Sequence, residues 1–245
     1  ALVPPLSLVA DDLGIYYDPT RESRFERLMA APLPPGGAAR ALELARALTD
    51  AGLTKYNLTG TPPDLPPGHR ILVPGQVEDD ASIRLGAGVE RSNLALLSRA
   101  RAEFPDAVLI YKPHPDVEAG LRPGVIPPDQ LAALADVVAP DTSAAALQTQ
   151  VDGVFTITST MGFEALLRGI PVTTLGAPFY AGWGLTDDRG QIPARRQPGA
   201  SLAQLVHTAL IAYPRYFDPV SGLPCPPETA VARLADPGFR AGGAR

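Results

Sequence analysis

The sequence predicts an α/β protein built on a Rossmann-like parallel sheet that is flanked by helices. From residue 70 onward, short apolar runs rich in valine and isoleucine alternate with segments of helical periodicity, as βαβ units require. These runs end in loops rich in glycine, proline or polar residues. Hydrophobic residues make up 45% of the chain and charged residues 19%, which is typical of a globular protein with a buried core.

Hydrophobic periodicity places the individual elements. Strands are predicted at 71–73, 107–111, 137–139, 153–157 and 172–175. Helices are predicted at 21–29, 38–48, 92–104, 128–135, 143–150, 160–168 and 201–212.

These elements divide the chain of 245 residues into four parts. Residues 1–60 are too few for a complete Rossmann-like domain, so we expect them to be the remainder of an incomplete N-terminal domain. Residues 61–69 are rich in proline and are predicted to form a linker. Residues 70–212 are predicted to form one Rossmann-like domain. Residues 213–245 contain several prolines and are expected to be a tail that wraps around the protein or frays.

Composition excludes several classes of function. The net charge of −5 argues against a nucleic-acid-binding protein. A single cysteine, Cys225, rules out an internal disulfide framework, and with three histidines a metal site is not expected. No apolar stretch has the length of a membrane span and the N-terminus has no signal-peptide pattern, so a cytoplasmic protein is predicted.

The loop after the first predicted strand carries a cluster of polar side chains: Gln76, Glu78, Asp79 and Asp80. In open α/β sheets, ligands bind beyond the carboxyl ends of the strands, so carboxylates in this loop are placed for chemistry. The alternative is an acidic turn that is simply solvated.

The loop after the second predicted strand places Lys112, His114 and Asp116 within five positions. Pro113 and Pro115 restrict the backbone on both sides of the histidine, which lowers the entropy lost when the imidazole is held in place. Such a histidine suits phosphate binding or proton transfer. A turn histidine bound by backbone carbonyls is equally compatible with the sequence.

Two further loops follow predicted strands. Ser159 or Thr160 is a natural N-cap for the helix that contains Glu164, and a helix start of this kind binds anions. An ordinary capped helix without a ligand is the alternative, and no GxGxxG or Walker pattern is present. Tyr180 and Trp183 lie among glycines in the next loop, where they either stack on a sugar or base or pack against the core.

Together these loops favour a nucleotide-sugar transferase over a hydrolase, since no G-x-S-x-G elbow is present. In this order they resemble the bacterial capsule polysaccharide biosynthesis family of retaining β-Kdo transferases, in which Kdo is 3-deoxy-manno-octulosonic acid. The resembling segments are Leu-Gly-Ile-Tyr-Tyr-Asp at 13–18, Val-Pro-Gly-Gln-Val-Glu-Asp-Asp at 73–80, Tyr-Lys-Pro-His-Pro-Asp at 111–116, Ser-Thr-Met-Gly-Phe-Glu-Ala-Leu-Leu-Arg-Gly at 159–169, Pro-Phe-Tyr-Ala-Gly-Trp-Gly-Leu at 178–185 and Ala-Tyr-Pro-Arg-Tyr-Phe-Asp-Pro at 212–219.

The resemblance implies a GT-B-like fold and transfer of Kdo from CMP-Kdo to an oligo-Kdo linker on a phosphatidylglycerol-type lipid. It implies partners in the capsule biosynthesis and export machinery, and a location at the cytoplasmic face of the inner membrane. Neither a cofactor nor a metal is expected. A family module usually carries an acidic Glu-Asp-Gly motif upstream of the segment that matches 13–18. The chain is therefore expected to be the later part of such a module. Members of the family often carry two modules in one protein.

The resemblance also suggests a role for each candidate residue. Asp80 is the predicted nucleophile, with Asp79 as the second choice and Glu78 in an orienting role. His114 is expected to hold the CMP phosphate with help from Lys112. The remaining donor-side candidates are Gln76, Pro115, Asp116, Ser159, Thr160, Gly162, Phe163 and Glu164, of which Glu164 is expected to bind the ribose. The acceptor-side candidates are Tyr180, Trp183 and Asp18.

Two other functions fit the sequence. A nucleotide-sugar epimerase-like enzyme on the same fold would also need histidine and carboxylates, but would use a uridine nucleotide. A non-catalytic module of capsule assembly or export would keep the fold and bind without turnover.

Overall fold

A computed structural model of the chain describes residues 6–58, 60–236 and 238–239. The chain folds into two compact units. Unit 1 comprises Ala1–Ile15, Glu22–Leu53 and Ala200–Arg245, and unit 2 comprises Tyr16–Arg21 and Thr54–Gly199. This division differs from the predicted four parts.

The elements are as follows. The strands are β1 (Ser7–Val9), β2 (Arg70–Pro74), β3 (Val108–Lys112), β4 (Val137–Val138), β5 (Gly153–Thr156), β6 (Val172–Thr174), β7 (Asp187–Asp188), β8 (Pro214–Phe217) and β9 (Pro224–Cys225). The helices are α1 (Arg24–Ala30), α2 (Gly37–Asp50), α3 (Ala81–Gly86), α4 (Asn93–Glu103), α5 (Pro115–Glu118), α6 (Pro128–Leu134), α7 (Ala144–Gln148), α8 (Thr160–Leu167), α9 (Leu202–Val206, continued by a π-helical segment at His207–Ala212) and α10 (Pro227–Ala235).

Among the described residues of unit 2, six strands form one parallel sheet in the order β4-β3-β2-β5-β6-β7. Leu72 in β2 lies opposite Ile110 in β3 on one side and opposite Val154 in β5 on the other, and all three side chains are buried. Helix α4 packs against β2 and β3, whereas α8 packs against β5 and β6. The predicted Rossmann-like parallel sheet with flanking helices is therefore confirmed.

The strand order creates a crevice beside β2. From β2 the chain proceeds outward through β3 and β4, and then returns to the other side of β2 with β5. The loops that leave β2 and β5 thus diverge at the carboxyl edge of the sheet, and such a switch point is where open α/β sheets bind ligands. The loops after β2 and β5 are the ones that carry residues 76–80 and 157–160.

Unit 1 groups helices with a small antiparallel sheet of order β1-β8-β9. Ser23 and Glu26 form a reciprocal capping box at the start of α1. Arg40 in α2 binds Glu228 in α10 through both carboxylate oxygens, at 2.7 and 3.0 Å. Residues 200–212 group with α2 instead of with the parallel sheet, because α9 packs on α2. The predicted tail contains β8, β9 and α10, so in the described residues it is a structured part of unit 1.

Two short helices were not predicted from the sequence. Asp80 caps α3 by accepting a hydrogen bond from Ser82 N, and His114 caps α5 in the same way from Asp116 N. Both helices are six residues or shorter, so they show too little periodicity to be recognised and depend on the cap at their first turn.

Gly162 in α8 is expected to be intolerant of a side chain. A Cβ atom there would lie against the hydroxyl group of Tyr180, which is fully buried. Although alanine favours helices, Gly162→Ala should lower the free energy of unfolding by about 1–3 kcal/mol because the site is overpacked. Urea unfolding measures this change. In a Tyr180→Phe background, which lacks the obstructing hydroxyl, the same substitution should cost less; an equal cost in both backgrounds would contradict this explanation.

Candidate functional site

A cavity of about 420 Å³ opens in unit 2 at the carboxyl edge of the sheet. Its volume lies within the range of small-molecule sites. The lining residues come from the segments that follow β2, β3, β5 and β6, from Arg122 beyond α5, and from two segments that precede the sheet. They are Tyr16, Tyr17, Lys55, Tyr56, Gln76, Val77, Asp80, Ala81, Ser82, His114, Asp116, Arg122, Thr158, Ser159, Thr160, Pro178 and Phe179.

Gln76 connects the two loops that diverge at the switch point. Its side-chain Nε2 donates to Thr158 Oγ1 at 2.9 Å, and its Oε1 accepts from Thr158 N at 3.0 Å. Its backbone is held by Asn93, whose Oδ1 accepts from Gln76 N and whose Nδ2 donates to Gln76 O, both at 2.8 Å. Both side chains are buried, so these bonds are shielded from water. Gln76 thus shapes the wall of the cavity.

Asp80 is the carboxylate of the 76–80 loop that lines the cavity. Its Oδ1 accepts from Ser82 N at 2.8 Å, which fixes the side chain at the start of α3. Burial opposes ionisation, but the hydrogen bonds from Ser82 and the charges of Lys55 and Arg122 outweigh it and lower the pKa of Asp80. Asp80 is therefore ionised at neutral pH.

The other two carboxylates of this loop lie outside the cavity lining. Glu78 Oε1 accepts from Asn93 N at 2.7 Å and so binds the first turn of α4. Asp79 is exposed and pairs with Arg122, whose Nη2 lies 2.7 Å from Asp79 Oδ1. The structure thus separates the three neighbouring acids, and Asp80, the predicted nucleophile, is the one that lines the cavity.

His114 is held in one tautomer. Asp116 N donates to its Nδ1 at 3.1 Å, so this nitrogen carries no proton. Burial lowers the pKa of His114, and the neutral ring therefore carries its proton on Nε2. Nε2 lies 2.6 Å from the hydroxyl oxygen of Tyr56 at the cavity wall. In this structure the Nε2–H of His114 therefore donates to the hydroxyl oxygen of Tyr56, and His114 could donate to a phosphate oxygen in the cavity only after this bond opens.

Lys112 was predicted to add positive charge beside His114, but its side chain is 3% exposed and lines a second, much smaller cavity of about 30 Å³. Its Nζ has no hydrogen-bond partner among the described residues. Burial lowers the pKa of Lys112, against the influence of Glu118 and Asp141. In the structure, Lys112 therefore does not contribute a cation to the larger cavity.

The cations of the larger cavity are Lys55 and Arg122, which the sequence analysis missed. Lys55 is exposed, but partial desolvation at the cavity wall opposes its charge; the neighbouring Tyr56, Tyr16 and Asp80 outweigh this effect and raise the pKa of Lys55. Lys55 precedes the sheet and Arg122 lies beyond α5, so neither belongs to a strand-end loop that pattern analysis singles out.

The start of α8 lies at the cavity as predicted. Ser159 and Thr160 line it, and Ser159 Oγ caps the helix by accepting from Met161 N at 3.2 Å. Gly162 and Phe163, predicted to contact the donor, lie deeper: Gly162 packs on Tyr180 and Phe163 on the ring of Phe179, at 5.2 Å between centroids. They support the helix start and are not part of the lining.

Glu164 lines the second cavity and not the larger one. It is buried, and its Oε1 accepts from Lys55 N at 2.7 Å. Burial raises the pKa of Glu164 despite this hydrogen bond. Glu164 thus binds the backbone of residue 55 in this structure, and its contact with the ribose stays a prediction. Pro115 lines the second cavity as well, whereas Asp116 lines the larger one.

The predicted acceptor-side residues lie in the interior. Tyr180 is fully buried and donates to Ser159 O at 2.5 Å, and Trp183 is buried with its Nε1 donating to Phe179 O at 2.8 Å. Asp18 is buried and binds Thr20 through its side chain. Of the two alternatives for Tyr180 and Trp183, the structure shows packing against the core, because the loop folds both side chains inward. The aromatic residues at the cavity are Tyr16, Tyr17, Tyr56 and Phe179.

The described residues contain neither a cluster of metal-binding side chains nor a membrane-spanning helix. No group of three or more histidine, cysteine, aspartate or glutamate side chains there is arranged to bind a metal ion. None of the helices in that part of the chain has both the length and the apolar character that a membrane crossing needs.

Fold and site define an α/β protein with a polar ligand cavity at the switch point of a Rossmann-like sheet. The family model described as "Capsule polysaccharide biosynthesis protein" matches residues 66–216, which include this sheet and most of the cavity lining. The chain belongs to that family.

Curated relatives are similar over nearly the whole chain. The capsule polysaccharide modification protein LipA of Neisseria meningitidis serogroup A is 45% identical over 236 residues, which are 95% of this chain and 33% of LipA. The lipopolysaccharide-processing protein LpsZ of Rhizobium meliloti is 43% identical over 241 residues, 95% of this chain and 54% of LpsZ. The chain thus spans between a third and about half of the length of these relatives.

Solved structures confirm the GT-B-like fold class. The β-Kdo 2,7 transferase of Thermosulfurimonas dismutans KpsC has a TM-score of 0.81 and 38% identity, over 94% of this chain and 72% of that one. The β-Kdo 2,4 transferase of the same KpsC has a TM-score of 0.82 and 34% identity, over 95% and 74%.

Removing the Gln76 side-chain amide should destabilise the protein. Gln76→Met keeps the length of the side chain but leaves the Thr158 backbone N–H without its acceptor, so the free energy of unfolding should fall by about 1–3 kcal/mol. Urea unfolding tests this, with Gln197→Met as the matched control because Gln197 is exposed. The control should change stability by less than about 0.5 kcal/mol. Equal effects of the two substitutions would contradict the role assigned to Gln76.

The pH dependence of stability should contain a contribution from His114. Burial holds the pKa of His114 in the folded protein below its ordinary value of 6.5. The stability that it contributes is therefore complete above about pH 6.5 and is lost as the pH falls through the folded-state pKa. Asp116 and Asp80 favour protonation of the ring, whereas Lys55 and Arg122 oppose it.

His114→Asn isolates this contribution, because asparagine can still accept the hydrogen bond at the start of α5 but does not titrate. Between about pH 7.5 and pH 5, the free energy of unfolding should fall more steeply in the wild type than in His114→Asn, since all other titrating groups are shared. Parallel pH profiles for the two proteins would show that His114 is not buried in its neutral form.

Proposed function

We propose that the chain is a glycosyltransferase that transfers Kdo from CMP-Kdo to an oligo-Kdo linker on a phosphatidylglycerol-type lipid, at the cytoplasmic face of the inner membrane. Membership of the capsule polysaccharide biosynthesis family supports this proposal, as does the similarity to structures titled β-Kdo transferases. The larger cavity supports it independently, since it places a carboxylate, a histidine N–H and cationic side chains at one switch point.

The observation that carries the proposal is the position of Asp80. Of the three acids in its loop, it is the one that lines the cavity, and its lowered pKa keeps it ionised. Helix α3 fixes its carboxylate through the bond to Ser82 N. An ionised carboxylate held beside the donor site is the nucleophile that retention by double displacement needs.

In the first step of the proposed reaction, an oxygen of Asp80 attacks the anomeric carbon of Kdo while the bond from that carbon to the phosphate oxygen breaks. The electron pair leaves with CMP, and the Nε2–H of His114 exchanges its hydrogen bond to Tyr56 for one to the departing phosphate, which it stabilises. In the second step, the acceptor hydroxyl oxygen displaces Asp80 from the opposite face and its proton passes to solvent. Two inversions give net retention.

Asp80→Asn should abolish transfer. Asparagine keeps the helix cap but is a poor nucleophile, so the rate should fall by about a thousandfold or more while CMP binding changes little. The assay measures transfer from CMP-Kdo to an oligo-Kdo glycolipid. Asp79→Asn is the matched control, since Asp79 carries the same chemical group one position earlier and lies outside the cavity lining. If Asp80→Asn still transfers Kdo or Asp79→Asn does not, Asp80 is not the nucleophile.

A thermal-shift titration with CMP, UMP and UDP tests the nucleotide. A ligand at about 100 times its dissociation constant adds roughly 2.7 kcal/mol of stability, which is readily detected. Selective stabilisation by CMP is expected. Preference for UDP would instead favour an epimerase-like enzyme, and CMP binding without any transfer would favour a non-catalytic assembly module.

A further inference from the structure

Residues 54–57 form a closed turn at the wall of the cavity. Thr54 N donates to Asn57 Oδ1 at 2.8 Å, and Asn57 N donates to Thr54 Oγ1 at 3.0 Å. Asn57 has a φ of 50°, in the left-handed region that asparagine tolerates better than most residues. These reciprocal bonds fix the turn without help from a helix or strand, and Lys55 and Tyr56 lie at its tip.

Two residues from distant parts of unit 2 anchor this turn. The buried carboxylate of Glu164 in α8 accepts from the backbone N–H of Lys55 at 2.7 Å. His114 Nε2 lies 2.6 Å from the hydroxyl oxygen of Tyr56. Both anchors belong to motifs predicted to contact the donor, yet in the structure each binds the turn. Their positions therefore determine where the side chain of Lys55 lies.

Lys55 differs from the other cations near the cavity in the surroundings of its charged group. Lys112 is buried in the second cavity, and the guanidinium group of Arg122 is bound to Asp79. Lys55 is exposed and lines both cavities, with its Nζ 4.9 Å from the centroid of the Tyr56 ring. An ammonium group is a compact point charge that suits a phosphate group.

We propose that Lys55 binds the phosphate group of the nucleotide donor, and that Glu164 is a positioning residue that holds the turn carrying Lys55. The proposal rests on the proposed function in one respect only, namely that the donor is a nucleotide. The cavity is partly shielded from bulk water, so one charge–charge contact there strengthens binding more than it would on an open surface. Glu164 thereby acts on the donor through the backbone of residue 55 and not through the ribose.

The test compares CMP with cytidine, which lacks the phosphate group. Dissociation constants are measured by NMR chemical-shift titration, which detects millimolar binding, for the wild type, Lys55→Met and Lys55→Arg. Lys55→Met should weaken CMP binding by about tenfold, equivalent to 1.4 kcal/mol, and leave cytidine binding unchanged. Lys55→Arg keeps the charge and should retain most of the affinity for CMP. Unchanged CMP binding in Lys55→Met, or equal weakening for both ligands, would overturn the proposal.

Substitution of Glu164 tests the positioning role. Glu164→Gln keeps an oxygen that accepts from Lys55 N, so its affinity for CMP should stay near that of the wild type. Glu164→Leu removes the acceptor and should weaken CMP binding but not cytidine binding, and adding it to Lys55→Met should cause little further loss. If Glu164→Leu weakens the binding of both ligands equally, Glu164 contacts the nucleoside and the positioning role is wrong.

Should this variant fail to fold, Asn57→Ala opens the same turn and is expected to reproduce the selective loss for CMP.

The failures of the two proposals are distinguishable. A wild-type chain that binds neither CMP nor cytidine contradicts the proposed function. A wild-type chain that binds CMP, together with a Lys55→Met variant that binds it equally well, contradicts only the role of Lys55.

Discussion

The side chain of Gln76 is the link on which the site depends. A parallel sheet positions the ends of β2 and β5 side by side, but the loops that leave them run to opposite faces. Gln76 binds Thr158 with both ends of its amide and so holds these loops at a fixed distance. Its own backbone is held by Asn93 at the start of α4. Asp80 follows four residues later, so its position is set by these buried hydrogen bonds.

The ionisable side chains of unit 2 lie in two environments that affect their charged forms differently. The larger cavity holds Asp80 with a pKa below its ordinary value, since hydrogen bonds and nearby cations stabilise the ionised form. Lys112 and Glu164 line the second cavity, where burial disfavours the charged form of each: it lowers the pKa of Lys112 and raises that of Glu164. Burying an ionisable group costs stability unless hydrogen bonds or opposite charges compensate for the lost hydration. Ionisable groups with pKa values shifted by burial are common at functional sites. For Glu164, the hydrogen bond to Lys55 N provides part of that compensation.

The sequence predicted the central sheet well and the short elements poorly. Strand β2 and helix α4 were recognised because their apolar residues are periodic or continuous over many positions. Helices α3 and α5 were missed because a single capped turn has no periodicity. Helix α9 was recognised but assigned to the wrong neighbours, since an apolar face does not specify which other face covers it. At the site, Asp80, His114, Ser159 and Thr160 were found because they follow strands.

The sequence by itself determined the class of fold, the loops that form the site and the family to which the chain belongs, because these follow from patterns local to each segment. Tertiary structure alone decided which side chains face the cavity. It separated Asp80 from Asp79, buried Lys112 and exposed Lys55, and turned Tyr180 inward. The physical reason is that the orientation of a loop side chain depends on hydrogen bonds to residues far away in the chain, such as the bond between Lys55 and Glu164. No periodicity in the sequence records such bonds.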